Sequence, residues 1–167
     1  MAEALLVRRV AERELPATIV SAGLLKGGHE RTAEVTVVLA ERGVALPDKL
    51  SRQLIQRDLQ SADLVLAMER AHVRHSVLLE PGAWPRTFTL KELVRRGTEL
   101  GPRPSFESPG KWLARAHEGR ERQDLLGDSP IDDVTDPHGG PSSAYEAAAT
   151  EIEDLVDRLV HLLWPMS

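Results

Sequence analysis

Apolar residues recur at helical spacing from the first residues on. Ala2, Leu5, Leu6 and Val10 share one face, and Arg8, Arg9 and Glu12 fill the other. The spacing predicts a helix over residues 2–13, closed by Pro16. Thr18-Ile19-Val20 then reads as a short β-branched strand, ended by the turn Ser21-Ala22-Gly23, and Lys26-Gly27-Gly28 as a loop. Residues 32–42 are predicted helical. Thr32 stands at a capping position and Gly43 lies just past the last periodic residue. The run Val35-Thr36-Val37-Val38 favours a strand by propensity, but length and caps decide for helix. A short helix is predicted over 55–61.

Asp63-Leu64-Val65-Leu66-Ala67-Met68 is the clearest strand, a near-continuous apolar run of the kind buried on both faces of a parallel sheet. A helix over 69–80 follows, stopped by Pro81-Gly82. Arg86-Thr87-Phe88-Thr89 is a second short strand running into a helix through Val94. Gly101-Pro102-Arg103-Pro104 breaks the pattern, and a helix over 111–121 buries Trp112, Leu113 and Ala116. Residues 128–141 form a loop rich in Asp, Pro and Gly. In the last helix Ser143 and Glu146 have capping-box spacing, and Tyr145, Ala148, Ile152, Leu155, Val156, Leu159 and Leu163 make one apolar face. Strands alternating with helices imply an α/β fold with a parallel sheet and helices on both faces.

Length and composition narrow the class. At 167 residues the chain is expected to form a single domain over 1–167. With 41% hydrophobic and 28% charged residues it has globular composition. No run approaches the ~18 apolar residues of a membrane span, no signal peptide is read, and a cytoplasmic setting without membrane association is expected. No cysteine is present, which removes disulfides and thiolate metal sites.

The net charge of -5 is unevenly spread. Residues 86–122 carry nine Lys/Arg against five acids, and 123–167 one Arg against ten acids. Arg95, Arg96, Arg103, Lys111, Arg115, Arg120 and Arg122 suggest a nucleic-acid surface. Few aromatics are interleaved for stacking, so a solvated basic helical insertion over 100–126 is the preferred reading and no nucleic acid is expected.

The telling internal motif is Asp136-Pro137-His138-Gly139-Gly140, directly ahead of the last helix. An Asp-Pro pair alone is most often a turn initiator. Here it stands in order with Met1 to Leu6, Ser21-Ala22-Gly23, Ser51-Arg52-Gln53-Leu54 and Ala62 to Met68. In that arrangement the chain resembles the low-molecular-weight protein tyrosine phosphatases over nearly its whole length.

The resemblance implies a three-layer, flavodoxin-like α/β/α fold with a small parallel sheet of order 2-1-3-4. It implies phosphomonoester hydrolysis through a cysteinyl-phosphate, with a phosphotyrosine protein or small aryl phosphate as substrate and no cofactor or metal. Asp136 takes the position of the general acid, which protonates the leaving oxygen and then takes a proton from the attacking water. His138 stands where the family commonly has an aromatic substrate wall, so a departure from phosphotyrosine preference is expected.

The family's Cys-and-Arg phosphate loop precedes the helix that here begins near Met1. Its nucleophilic cysteine, its phosphate-binding arginine and the first, central strand are not in this sequence. The strands at Thr18 and Leu64 would then flank a gap, pairing directly or leaving part of the sheet exposed. The chain is therefore expected to be an N-terminally truncated form, unable to turn over as given. The alternative is a complete, non-catalytic phosphatase-like binding protein. A thioredoxin-coupled arsenate reductase relative ranks last, because that chemistry needs several cysteines.

Smaller candidates are read blandly. His72 and His75, three apart on one helix, are surface or half-buried residues rather than metal ligands. Asp132 and Asp133 are read as an exposed acidic loop, His29 as loop, and Tyr145 as a packing residue rather than a phosphorylation site.

Overall fold

The computed structural model describes residues 1–30, 32–44 and 50–165. The chain divides into two compact units, Met1–Leu54 with Thr135–Asp157, and Ile55–Val134 with Arg158–Ser167.

The first unit is helical. α1 spans Ala2–Glu12 and buries Leu5 and Val10. α2 spans Ala33–Glu41, with Thr32 at its N-cap and Val38 and Leu39 buried. Gly43 follows at φ +68, a left-handed conformation that ends the helix without Cβ strain. The helix over the valine run forms with Gly43 just past its end as expected, but the Thr32 side chain makes no capping hydrogen bond. Its side chains pack on α7 (Ser142–Leu163), where Val38 meets Tyr145 and Ala149. Glu153 of α7 ties the three helices together. It accepts from Arg8 Nη2 and lies 3.4 Å from Arg42 Nε. Arg8 Nη1 donates to the Arg42 carbonyl at 2.7 Å, and Arg9 grips Asp157 with two nitrogens.

The strand expected at Thr18-Ile19-Val20 does not form. Val20 is 69% exposed, and β-propensity alone cannot hold a strand that has no ladder partner. Pairing occurs a little later, as a parallel bridge between Gly23 and Gln53.

The second unit holds the sheet. α3 is Gln56–Ser61, β1 Val65–Ala67, α4 Arg70–Leu79, β2 Thr87–Thr89, α5 Leu90–Leu100 and α6 Pro109–His117. Short 3-10 turns cover Pro81–Arg86 and Arg122–Leu125. β1 and β2 pair in parallel, Val65 with Thr87, Leu66 with Phe88 and Ala67 with Thr89. β2 is buried at all three positions, as both-face burial requires. Thr89 caps α5 by accepting from the Glu92 N–H. Ala67, Val73, Val77, Trp84 and Leu125 form one core cluster.

Gly97 lets α5 approach α6 and the end of α7, since a Cβ there would lie 2.7 Å from Trp112 and 2.9 Å from Leu162. The architecture is α/β with a small parallel sheet and many helices. Among the described residues no helix is long and apolar enough to cross a membrane.

Candidate active site

The loop ahead of α7 is built by its own residues. Asp136 Oδ1 accepts the His138 N–H at 3.0 Å, the side-chain turn that Asp favours two residues ahead of its partner. The next turn closes from the Gly140 N–H to the Pro137 carbonyl at 2.9 Å. Its third residue, Gly139, has φ +76, which makes a type II turn and explains the glycine. A Cβ at Gly140 would be crowded, 3.0 Å from the Pro137 oxygen and 3.3 Å from the Ala144 Cβ.

Asp136 and His138 are both exposed on this turn. One oxygen of Asp136 is taken up within the loop. α7 begins at Ser142, so Ser143 lies inside its first turn. It is therefore not the N-cap, and the expected Ser143–Glu146 capping box is set aside.

The acidic pair upstream departs from the sequence reading. Asp132 is not an exposed loop residue, since its side chain is only 6% exposed. Its Oδ2 accepts from Arg70 at 2.7 Å and its Oδ1 from Arg95 at 3.0 Å. Burial raises its pKa, but the hydrogen bonds and charges of Arg70 and Arg95 outweigh that and hold it below the ordinary carboxylate value. Asp133 Oδ1 accepts the Arg70 N–H that opens α4, and its Oδ2 accepts the Ser129 N–H, both at 2.7 Å. Val134 N–H donates to the Met68 carbonyl, extending the end of β1. A signal was available in the sequence: Asp-Asp three residues before the Asp-Pro motif has the small, capping-competent chemistry of a helix N-terminus. Only the fold brings the helix to it.

Two other sequence motifs do meet. Gly23 N–H donates to the Arg52 carbonyl at 2.9 Å, and Leu54 N–H to the Gly23 carbonyl at 2.8 Å. The Ser21-Ala22-Gly23 turn is thus joined to Ser51-Arg52-Gln53-Leu54.

The basic stretch is largely committed to the chain itself. Arg96 and Arg120 pair with Glu92, Arg115 with Glu107 and Arg95 with Asp132, and Arg103 donates to the Leu163 carbonyl. Arg120 is caged. Its guanidinium lies 3.9 Å from the Trp84 ring centroid and 4.0 Å from that of Phe88. It grips both Glu92 oxygens and donates to the Thr87 carbonyl. Burial pulls its pKa down while Glu92 pulls it up.

His72 Nε2 lies 3.9 Å from Glu69, and Tyr145 is buried in packing. An open hollow of about 420 Å³ runs past Ser61, Asp63, Arg86 and Leu113. Arg86 is not available to a ligand there, because Nε, Nη1 and Nη2 donate to the carbonyls of Ala62, Gly82 and Leu59.

The family model of low molecular weight phosphotyrosine protein phosphatases matches residues 1–99. A protein-arginine-phosphatase of Geobacillus stearothermophilus is 32% identical over 153 residues, covering 90% of this chain and 80% of its own. Among solved structures, a low molecular weight protein tyrosine phosphatase from T. tengcongensis aligns with a TM-score of 0.71 at 28% identity, over 97% of this chain and 88% of that one. An arginine phosphatase structure from Geobacillus stearothermophilus aligns at 0.65 and 31% identity, over 96% and 80%.

Proposed function

The chain belongs to the low molecular weight phosphotyrosine protein phosphatase family, which acts on phosphoproteins, and from that premise we propose that Asp136 is its proton-transfer carboxyl. The observation that carries this is the turn itself. An exposed aspartate has one oxygen held by the His138 N–H and the other unengaged by that bond, immediately ahead of α7. In the family reaction a thiolate attacks phosphorus and the ester P–O bond breaks. A protonated Asp136 would give its proton to the leaving oxygen. Water then attacks the cysteinyl-phosphate, Asp136 takes the water proton, and phosphate and thiolate separate.

These 167 residues hold no cysteine, so the nucleophilic attack on phosphorus uses no residue of this sequence. The chain as given is therefore inactive by this route, and Asp136 is the part of the machinery it supplies. His138 takes the wall position beside the substrate. A second reading concerns the substrate. The relative at 32% identity is a protein-arginine-phosphatase, which favours phosphoarginine over phosphotyrosine.

The test is hydrolysis of an aryl phosphate and of phosphoarginine by two proteins. One is the 167-residue chain. The other is a chimera in which the family's first strand and Cys-and-Arg loop are joined ahead of Met1. The first should give no turnover. The chimera should turn over and lose roughly 10²–10⁴-fold in Asp136→Asn, most for the poorest leaving group. Equal rates in the chimera and its Asp136→Asn form would remove the acid assignment. Turnover by the unmodified chain would remove the claim of inactivity.

A further inference from the structure

The carboxylates of Asp132 and Asp133 have all four oxygens engaged, which is more than a solvated acidic loop or a single stabilising ion pair requires. Asp132 joins Arg70 of α4 to Arg95 of α5. Asp133 caps α4 through the Arg70 N–H and closes its own turn through the Ser129 N–H. An anionic cap at that end also lies favourably along the helix dipole. The Asp132 and Asp133 N–H groups both return to the Ser129 carbonyl, at 3.0 and 2.7 Å, and Ser129 is itself buried. Val134 N–H then joins the Met68 carbonyl at 2.8 Å. Three consecutive residues are thus fixed, one after another, to the end of β1 and the start of α4. The character of the chain changes at the next residue. Thr135 and Asp136 are exposed, and the bonds at 136–140 are local to the turn.

We propose that Asp132 and Asp133 are positioning residues for Asp136, a clamp that sets where the acid-bearing loop departs and confines its freedom to the residues after Val134. Asp136 follows two residues beyond the last clamped position, so a clamp error is passed on along a very short tether. Positioning to within a fraction of an ångström is what proton transfer demands of such a group. The proposal rests on the reading of Asp136 as the acid.

The chemistry of asparagine supplies the test. Asn has a single acceptor oxygen, so Asp133→Asn can satisfy the Arg70 or the Ser129 N–H but not both. The measurement is amide exchange and backbone order by NMR on the 167-residue protein, its Asp133→Asn and Asp132→Asn forms, and an Asp136→Asn control. In the unmodified protein the Arg70, Ser129 and Val134 amides should be protected, and backbone order should first fall at Thr135. In Asp133→Asn, exchange at Val134 and at Arg70 or Ser129 should quicken by roughly tenfold or more, and the onset of disorder should move upstream into 128–134. Asp132→Asn, which keeps the shape and loses the charge, should shift the onset in the same direction if Asp133→Asn does not fold. The Asp136→Asn control should leave it at Thr135.

A merely structural role would quicken exchange evenly through β2 and α5 without moving the onset, and that result overturns the proposal. So does low order at 132–134 in the unmodified protein. None of these readouts uses turnover. An intact clamp in a chimera whose hydrolysis ignores Asp136 would cost only the acid assignment. Asp136-dependent hydrolysis with disorder already present at 132–134 would cost only the clamp.

Discussion

Arg120→Ala removes the main partner of a buried carboxylate. The Arg120 side chain is 2% exposed and that of Glu92 11%, so water cannot replace the lost guanidinium well. Breaking a buried pair from one side costs about 3–5 kcal/mol, and the two aromatic faces add about 0.5–2 kcal/mol when a cation leaves them. Arg96 Nε, 3.4 Å from Glu92 Oε1, offsets part of this. The expected net loss is about 3–5 kcal/mol, or roughly 6–20 °C in Tm for a chain of this size.

Urea denaturation followed by tryptophan fluorescence reads it directly. Trp84, Trp112 and Trp164 all lie in the unit that holds the cage, and Trp84 is one of its walls. The double change Arg120→Met with Glu92→Leu removes both charges and should cost less than Arg120→Ala alone, because an apolar pair of similar volume needs no ionic partner. A loss under about 1 kcal/mol for Arg120→Ala, or a double variant as damaged as the single one, would refute the reasoning from buried charge.

Other expectations follow from single contacts. Gly97→Ala should destabilise by about 1–3 kcal/mol in the same denaturation, since the new methyl meets Trp112 and Leu162 inside van der Waals distance. Gly139→Ala should cost about 1–2 kcal/mol from its left-handed φ, seen as faster proteolysis of the turn with little change in the tryptophan-reported transition. His117 is held below the ordinary histidine value of 6.5 by burial first, then by the charges of Arg120 and Arg96, with Glu92 opposing. The unfolded chain therefore binds the proton first. Stability is full above about pH 6.5 and falls as pH drops through the lower folded value, and His117→Gln should flatten that part of the curve of urea midpoint against pH.

What could be read from residues alone divides along a physical line. Helices were legible because their signal is local and repeated. All seven apolar positions assigned to one face of the last helix, from Tyr145 to Leu163, are buried. The β1 run was legible because its continuous apolar residues mark a parallel strand, although only Ala67 is fully buried while Val65 and Leu66 are half-buried. The Thr18 segment was misjudged because a strand is a property of two segments, and propensity describes only one. Asp132 and Asp133 were misjudged for the same reason. The capping-competent chemistry of Asp-Asp is local, but the partners that bury Asp132, Arg70 and Arg95, lie sixty-two and thirty-seven residues away. The Asp136 turn was legible as a turn because Asp, Pro and two glycines specify its backbone locally.

The same logic bears on the basic run, the feature that most invites a nucleic-acid reading. Of the nine Lys and Arg residues in 86–122, Arg86 is tied to backbone carbonyls, Lys91 donates to the Pro130 carbonyl, and Arg95, Arg96, Arg103, Arg115 and Arg120 are held by carboxylates or carbonyls. A polyanion would have to displace those partners, which leaves Lys111 and Arg122 as the cations for an outside phosphate. Each neutralised phosphate contributes about -0.9 to the slope of log K against log salt on duplex DNA, so two contacts predict a slope of about -2 and weak binding near physiological salt. Fluorescence anisotropy with a labelled duplex across a salt series measures it. A slope steeper than about -4 would mean that at least two more of these arginines leave their internal partners for DNA, and the assignment of the stretch to the fold's own electrostatics would fail.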